Sequence, residues 1–397
     1  MNPSGTLTYP QLTSTRFVAA FLVIVYHFGI LPRRVIPFHW FDQIHFFNLA
    51  GGSAVYYFFV LSGFVLTAAY HGRPLHYGLF IANRLGRIYP VYFVALCLTL
   101  LVTSLPLELV SGLLHTPSID ATKQLVKVAL LSAKTLNKRD LCLSVFLLQG
   151  WHVTTWQVFN GPGWSLSVEF FLYLLFPFLL PLVRRKTETY RLVFLIAGIA
   201  GSIACPLLLA SPLVDSSRGF LFIGSPLLAL PGFLLGMVAY EFGLRNRLPA
   251  GSLVPAFVFL GSVGCCVLLL SVFVFEASDF LLNPFFALII WSLSQDTSLI
   301  ARTLAHPKLV LLGEISYGYY ILQLPVFLIA SQWLHLFDGL TDTAFFYLFN
   351  SLLLLVAWGS FRGLETPVRR FVKTITARID HRLTALKQRD LPLQESA

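Results

Sequence analysis

With 397 residues, 56% of them hydrophobic and 12% charged, the chain reaches a mean hydropathy of +0.75, which excludes both a soluble globular domain and a disordered chain. Its recurrent apolar windows of about 17–25 residues instead define an all-α polytopic integral membrane protein. The net charge of +10 gives no case for a nucleic-acid partner, because Lys and Arg sit in short loops between apolar runs, where they orient membrane segments.

In chain order, residues 1–14 read as a nearly uncharged N-terminal tail and 15–31 as a retained first span, since no small-residue cleavage site follows it. Further spans fall near 50–70, 88–104, 164–183, 191–211, 219–241, 251–275, 280–296, 309–331 and 343–362, about ten helices in one bundle. Arg73, Arg84 and Arg87 share one loop; Arg184, Arg185, Lys186 and Arg191 share another; Arg245 with Arg247 and Arg302 with Lys308 mark two more. Alternate loops carry Glu276 with Asp279 and Asp338 with Asp342. The positive-inside rule then places both termini in the cytoplasm, with Arg33 and Arg34 as outer-side exceptions. Residues 105–163 break the pattern: 125–133 and 141–150 are too short to span and are expected as outer-face helices or a re-entrant hairpin. The expected domains are the tail 1–14, a transmembrane domain 15–365 and a basic cytoplasmic tail 366–397. The five cysteines show no metal or disulfide spacing and read as packing residues.

Within the first span, Arg16 and His27 are separated by an uncharged apolar run. Eleven residues of helix rise about 16 Å, so an Arg16 at one membrane face puts His27 past the midplane. An ionisable group at that depth reads as functional; the plain alternative is an interfacial histidine. Glu169, five residues beyond Trp164, reaches a similar depth from another helix, where a carboxylate can hold an imidazole's tautomer or stabilise its cation. A purely structural polar pairing is its alternative. Trp164 and Ser165 are an interface anchor and a helix cap, or contact substrate; Ser165 is a weaker nucleophile candidate than His27. Arg84 and Arg87 stand one turn apart and, with Arg16, form a cluster suited to bidentate phosphate binding or to lipid anchoring. Tyr317 and Gln323, in ISYGYYILQLPV, either line a cavity or bridge helices.

These residues resemble the acyltransferase-3 family of integral-membrane O-acyltransferases over about residues 12–370. The family's first-helix arginine and histidine match Arg16 and His27, and its phenylalanine-rich second helix matches YFFVLSGFVL. Its paired arginines match Arg84 and Arg87 in RLGRIYP, its tryptophan-serine-leucine and glutamate motif matches Trp164, Ser165, Leu166 and Glu169, and its terminal element matches Glu365 and Pro367. Tyr56 stands where the family often has another polar residue, and Gln323 where it often has a histidine; glutamine cannot shuttle a proton. The resemblance implies transfer of an acyl group, acetyl foremost, from cytoplasmic acyl-CoA to a hydroxyl of an outward-facing surface glycan or lipid-linked sugar, in a bacterial inner membrane. It implies His27 as general base or transient acyl carrier with Glu169 beside it, Arg16, Arg84 and Arg87 on the donor, and Trp164, Ser165, Tyr317 and Gln323 near substrate. Acyl-CoA is a co-substrate here, and no permanently bound cofactor or metal is expected. Apart from the donor, the acceptor and membrane lipids, no partner is implied. The competing class is a proton-coupled transporter or translocase of lipid-linked sugars using the His–Glu pair as a relay.

Overall fold

The computed structural model describes residues 9–29, 45–104, 137–185, 187–211, 222, 224–249, 251–272, 276–296, 298–331 and 342–394. Helices, 3-10 turns and connecting loops make up these segments, with no strand among the described residues. The protein is therefore an all-α polytopic membrane protein.

The helices are α1 (Pro10–Gly29), α2 (His45–Tyr70), α3 (Tyr77–Ser104), α4 (Lys138–Val145), α5 (Trp164–Val183), α6 (Glu188–Ala210) and α7 (Leu230–Arg245). They continue with α8 (Val254–Val272), α9 (Asn283–Gln295), α10 (Leu299–Leu304), α11 (Pro307–Ile321), α12 (Gln323–Ser331), α13 (Asp342–Ser360) and α14 (Thr366–Gln394). Seven described helices are long and apolar enough to cross a membrane, or eight if the bent pair α11–α12 is one span, against about ten expected. The shortfall has visible causes. The helix read as 280–296 has only 13 residues after a 3-10 segment (Glu276–Leu282), and the first turns of α1 are polar. Arg33, Arg34, Lys134, Lys186 and the expected segment 125–133 lie outside the described residues.

The core is built around α2 and α7, whose most apolar windows are 72% and 78% buried, against 28% for α6 and 22% for α8 at the periphery. Lipid provides no hydrophobic drive between helices, so close backbone approach has to hold them. Gly63 and Gly236 permit it: a Cβ at Gly63 would sit 2.1 Å from the Phe233 carbonyl oxygen, and one at Gly236 would sit 1.9 Å from that of Val60. Around this pair, α1 packs on α2 and α11, and α14 packs along α3.

Helix α3 begins at Tyr77, eleven residues before the expected span. Arg84 and Arg87 are thus helical residues inside the bundle and not loop residues ahead of it. Their charge hid the helix from a hydropathy reading. The span expected over 309–331 breaks at Leu322, where α11 and α12 meet at 62°. Pro325 cannot donate to the Ile321 carbonyl four residues earlier. Asn160 Nδ2 donates to that oxygen at 3.2 Å, and Gln323 Nε2 donates to the Tyr320 oxygen at 2.7 Å. Side chains thereby satisfy carbonyls that lipid could not. Between α13 and α14, Phe361–Glu365 forms a single π-helical turn that ends on the buried Glu365.

Helix α4 is eight residues long and too short to span; it leans on α3 through the Tyr89 and Tyr92 hydroxyls, which donate to the Val145 and Ser144 oxygens at 3.0 and 2.7 Å.

Candidate active site

Two cavities lie inside the bundle and share a wall. One, called outer after the orientation expected from the loop charges, is about 350 Å³ and takes His27 from the last turns of α1, Gly51 and Gly52 from α2, Trp156 and Trp164 from the loop before and start of α5, and Tyr320 and Gln323 from the α11–α12 break. His27 Nδ1 lies 2.7 Å from Gln323 Oε1. Because Gln323 Nε2 is committed to the Tyr320 oxygen, Oε1 must be the atom facing the imidazole, and a carbonyl oxygen only accepts. Nδ1 therefore donates this bond, which in the neutral ring leaves the lone pair on Nε2. Asp279 also lines this cavity and accepts from the Ser53 hydroxyl.

The inner cavity, about 210 Å³, is polar. Arg16 from α1, Arg84 and Arg87 from α3 and Arg369 from α14 face it, together with the carboxylates of Glu169, Glu314 and Glu365. Glu169 accepts from the Tyr173 hydroxyl, and Tyr317 donates to the Ile88 oxygen. The Arg84 guanidinium lies over the Phe80, Tyr70 and Tyr173 rings at 5.6–5.9 Å, and its buried Nε has no hydrogen-bond partner. Glu365 Oε1 is likewise buried and unpartnered. Four guanidiniums against three carboxylates leave the chamber with a cationic excess, suited to an anionic group.

Val55 and Tyr320 line both cavities. Ser165 Oγ lies 2.9 Å from the Tyr320 hydroxyl, and both lie within hydrogen-bond distance of the Pro162 oxygen, at 2.9 and 3.1 Å. Ser165 is thus tied into this partition and does not cap α5, whose N-terminal turn has no side-chain cap.

Of the residues singled out in the sequence, His27, Gln323 and Trp164 face the outer cavity, and Arg16, Arg84, Arg87, Glu169, Ser165 and Tyr317 face the inner one. The expected juxtaposition of Glu169 with His27 is not what the geometry gives. Glu169 stands one helical turn past Ser165, on the arginine side of the partition, and the His27 ring bonds Gln323. Counting residues from the helix ends gave both the same depth but said nothing of the wall between them. Arg369, Glu314 and Asp279 were missed as lining residues. Arg369 had a signal, because it follows Glu365 by one helical turn and so shares its face; Asp279 had none beyond a loop charge.

A family profile described as "Acyltransferase domain" matches residues 9–362. Over 387 residues the chain is 22% identical to the O-acetyltransferase OatA of Staphylococcus aureus (strain NCTC 8325 / PS 47), covering 91% of this chain and 57% of that protein. It is 25% identical over 389 residues to the putative O-acetyltransferase SACOL0978 of S. aureus (strain COL), with the same two coverages. The chain therefore spans little more than half the length of these relatives. No solved structure matches it significantly. With its profile match running from the start of α1 to the end of α13 and into the π-helical turn, the chain belongs to the acyltransferase-3 family of integral-membrane O-acyltransferases.

Proposed function

We propose that the protein transfers an acyl group, most simply acetyl, from acyl-CoA to a hydroxyl of an outward-facing glycan or lipid-linked sugar. The observation that carries this reading is the pair of adjoining cavities: one bears four guanidiniums, and the other is aromatic and holds a histidine with its Nε2 lone pair unspent. The relatives' names, both O-acetyltransferases, support the reaction class and the acetyl donor. The inner cavity takes the donor from the cytoplasm, where the Lys- and Arg-rich loops and both termini lie. The acceptor hydroxyl approaches through the outer cavity of a bacterial inner-membrane protein.

Nε2 of His27 takes the acceptor's proton as its oxygen attacks the thioester carbonyl. The ester C–O bond forms, the C–S bond breaks, and the proton passes to the departing thiolate. Alternatively, Nε2 itself attacks the thioester, releasing the thiolate and carrying the acyl group as an acyl-imidazolium until the hydroxyl displaces it, and the hydroxyl's proton passes by way of the freed Nε2 to the thiolate. In both courses Gln323 holds the ring, and Glu169 balances the arginines on the donor side.

The test compares surface glycans and lipids by mass spectrometry from cells expressing the chain or its His27→Ala variant at matched protein levels. An acyl-sized mass increment is expected with the intact chain and is expected to fall about 10²–10⁴-fold with His27→Ala. Equal increments from both would remove His27 from the chemistry.

A further inference from the structure

A third cavity, a groove of about 930 Å³ between the start of α3 and the middle of α14, belongs to neither chamber described so far. Its walls carry Lys373, Arg378 and Arg382 from α14, His76 and Asn83 from α3 and the turn before it, and the Tyr70 ring from the end of α2. Asp380, the carboxylate in this wall, is engaged by His76 Nε2 at 3.3 Å. Two further features fix α14 here: Thr376 Oγ1 donates to Asn83 Oδ1 at 3.0 Å, and Gly86 lets Val372 approach so closely that a Cβ would meet it at 2.8 Å.

The groove abuts the inner cavity at Arg84. Tyr70 and Phe80 line the groove, Arg84 lines the inner cavity, and the Arg84 guanidinium rests on both of those rings. Along α14, Arg369 faces the cavity and Lys373, one turn on, faces the groove, within electrostatic reach of Arg369, Arg84, Arg87 and Arg73. The line of cations runs from Arg382 up to the neighbourhood of Glu365, seventeen residues and about 25 Å of helix. A lone phosphate would fill one point of such a line; an elongated, multiply phosphorylated ligand fits its length. The unpartnered Nε of Arg84 at the junction is a donor awaiting such a ligand.

Resting on the reading of the donor as acyl-CoA, we propose that the α3–α14 groove seats the 3′-phosphorylated adenosine diphosphate end of coenzyme A, with its thioester arm passing Arg84 into the inner cavity. Lys373, Arg378 and Arg382 hold phosphate oxygens through charge-assisted hydrogen bonds. The same chemistry could serve an anionic lipid headgroup, so the test must separate the two.

The full chain in phosphatidylcholine nanodiscs is titrated calorimetrically with CoA and with dephospho-CoA, which lacks the 3′-phosphate. The intact chain is expected to favour CoA by about tenfold, the strength of one charged hydrogen bond. The Lys373→Gln/Arg382→Gln variant is expected to lose that preference. Arg370→Gln, which removes an exposed charge from the same helix outside every cavity, is expected to keep it. An undiminished CoA preference in the double variant overturns the groove assignment and leaves the donor reading intact. If that same variant also loses a thermal stabilisation by phosphatidylglycerol that the intact chain shows, the groove belongs to lipid. No CoA binding by the intact chain overturns both readings.

Discussion

At the level of single residues, the hydrogen bond between His27 and Gln323 sets what the imidazole can do. Glutamine offers an oxygen and a nitrogen that can exchange places by rotation, and only a second bond decides which one faces the ring. That second bond is the donation to the Tyr320 oxygen at the helix break. Gln323→Leu keeps the volume but removes the acceptor, leaving the Nδ1 proton unsatisfied at a cost of about 1–3 kcal/mol and letting the ring choose the other tautomer. Where that loss falls on the transition state, kcat is expected to drop by one to two orders of magnitude, while KM for the donor holds because the arginines are untouched. Gln323→Glu restores an acceptor for Nδ1 and is expected to recover part of kcat. Equal activity in all three forms would show that the imidazole needs no such partner. Glutamine at this position cannot relay a proton, so in the proposed reaction its part is to position the ring, and Nε2 is the atom left for His27 to act with.

At the level of helices, the fold depends on how near α2 and α7 can come. Gly236→Ala places a methyl against the Val60 carbonyl, an overpacking expected to cost about 1–3 kcal/mol and to lower the unfolding temperature by several degrees. Gly261→Ala, on the peripheral α8 with nothing within 4 Å, is expected to leave it unchanged or raise it slightly. Thermal unfolding of the two purified variants checks both, and a destabilised Gly261→Ala beside a neutral Gly236→Ala would contradict the close-approach argument. Such contacts explain which parts of the fold could be read in the sequence. Apolar length reveals a helix whether it lies at the periphery, as α6 and α8 do, or is buried on all sides, as α2 is, so these windows stood out. Glu169, Arg84 and Arg87 could be singled out because charge in an apolar run is conspicuous. Hydropathy carries no information on direction, however: the run 309–331 stays predominantly apolar across the break at Leu322, and only Pro325 marked it. The side of the partition on which Glu169 falls depends on Tyr320, a residue of a different helix, and spacing within one helix cannot report that.

At the level of the whole molecule, the arrangement separates two tasks that conflict. In the proposed reaction the donor is held through its phosphates by cations, yet its acyl group must meet an acceptor hydroxyl and not water. Two chambers meeting at one wall resolve the conflict if the wall opens only to the acyl group. Tyr320 and Val55 are common to both chambers, and the Tyr320 hydroxyl is tied to Ser165 of α5 and to the Pro162 oxygen in the turn before it. Tyr320→Phe removes those bonds and keeps the ring, so the partition is expected to persist with a modest loss of rate. Tyr320→Ala removes the ring and merges about 350 Å³ of outer space with about 210 Å³ of inner space, admitting water to the donor. The expected result is a higher ratio of free thiol released to acyl ester formed, read by a thiol reagent against acylated acceptor in the same reaction, with donor affinity preserved because Arg16, Arg84, Arg87 and Arg369 are unchanged. If thiol and ester fell together in Tyr320→Ala, the tyrosine would be serving the chemistry directly; if the ratio held at its original value and the rate did not change, the wall would lie elsewhere.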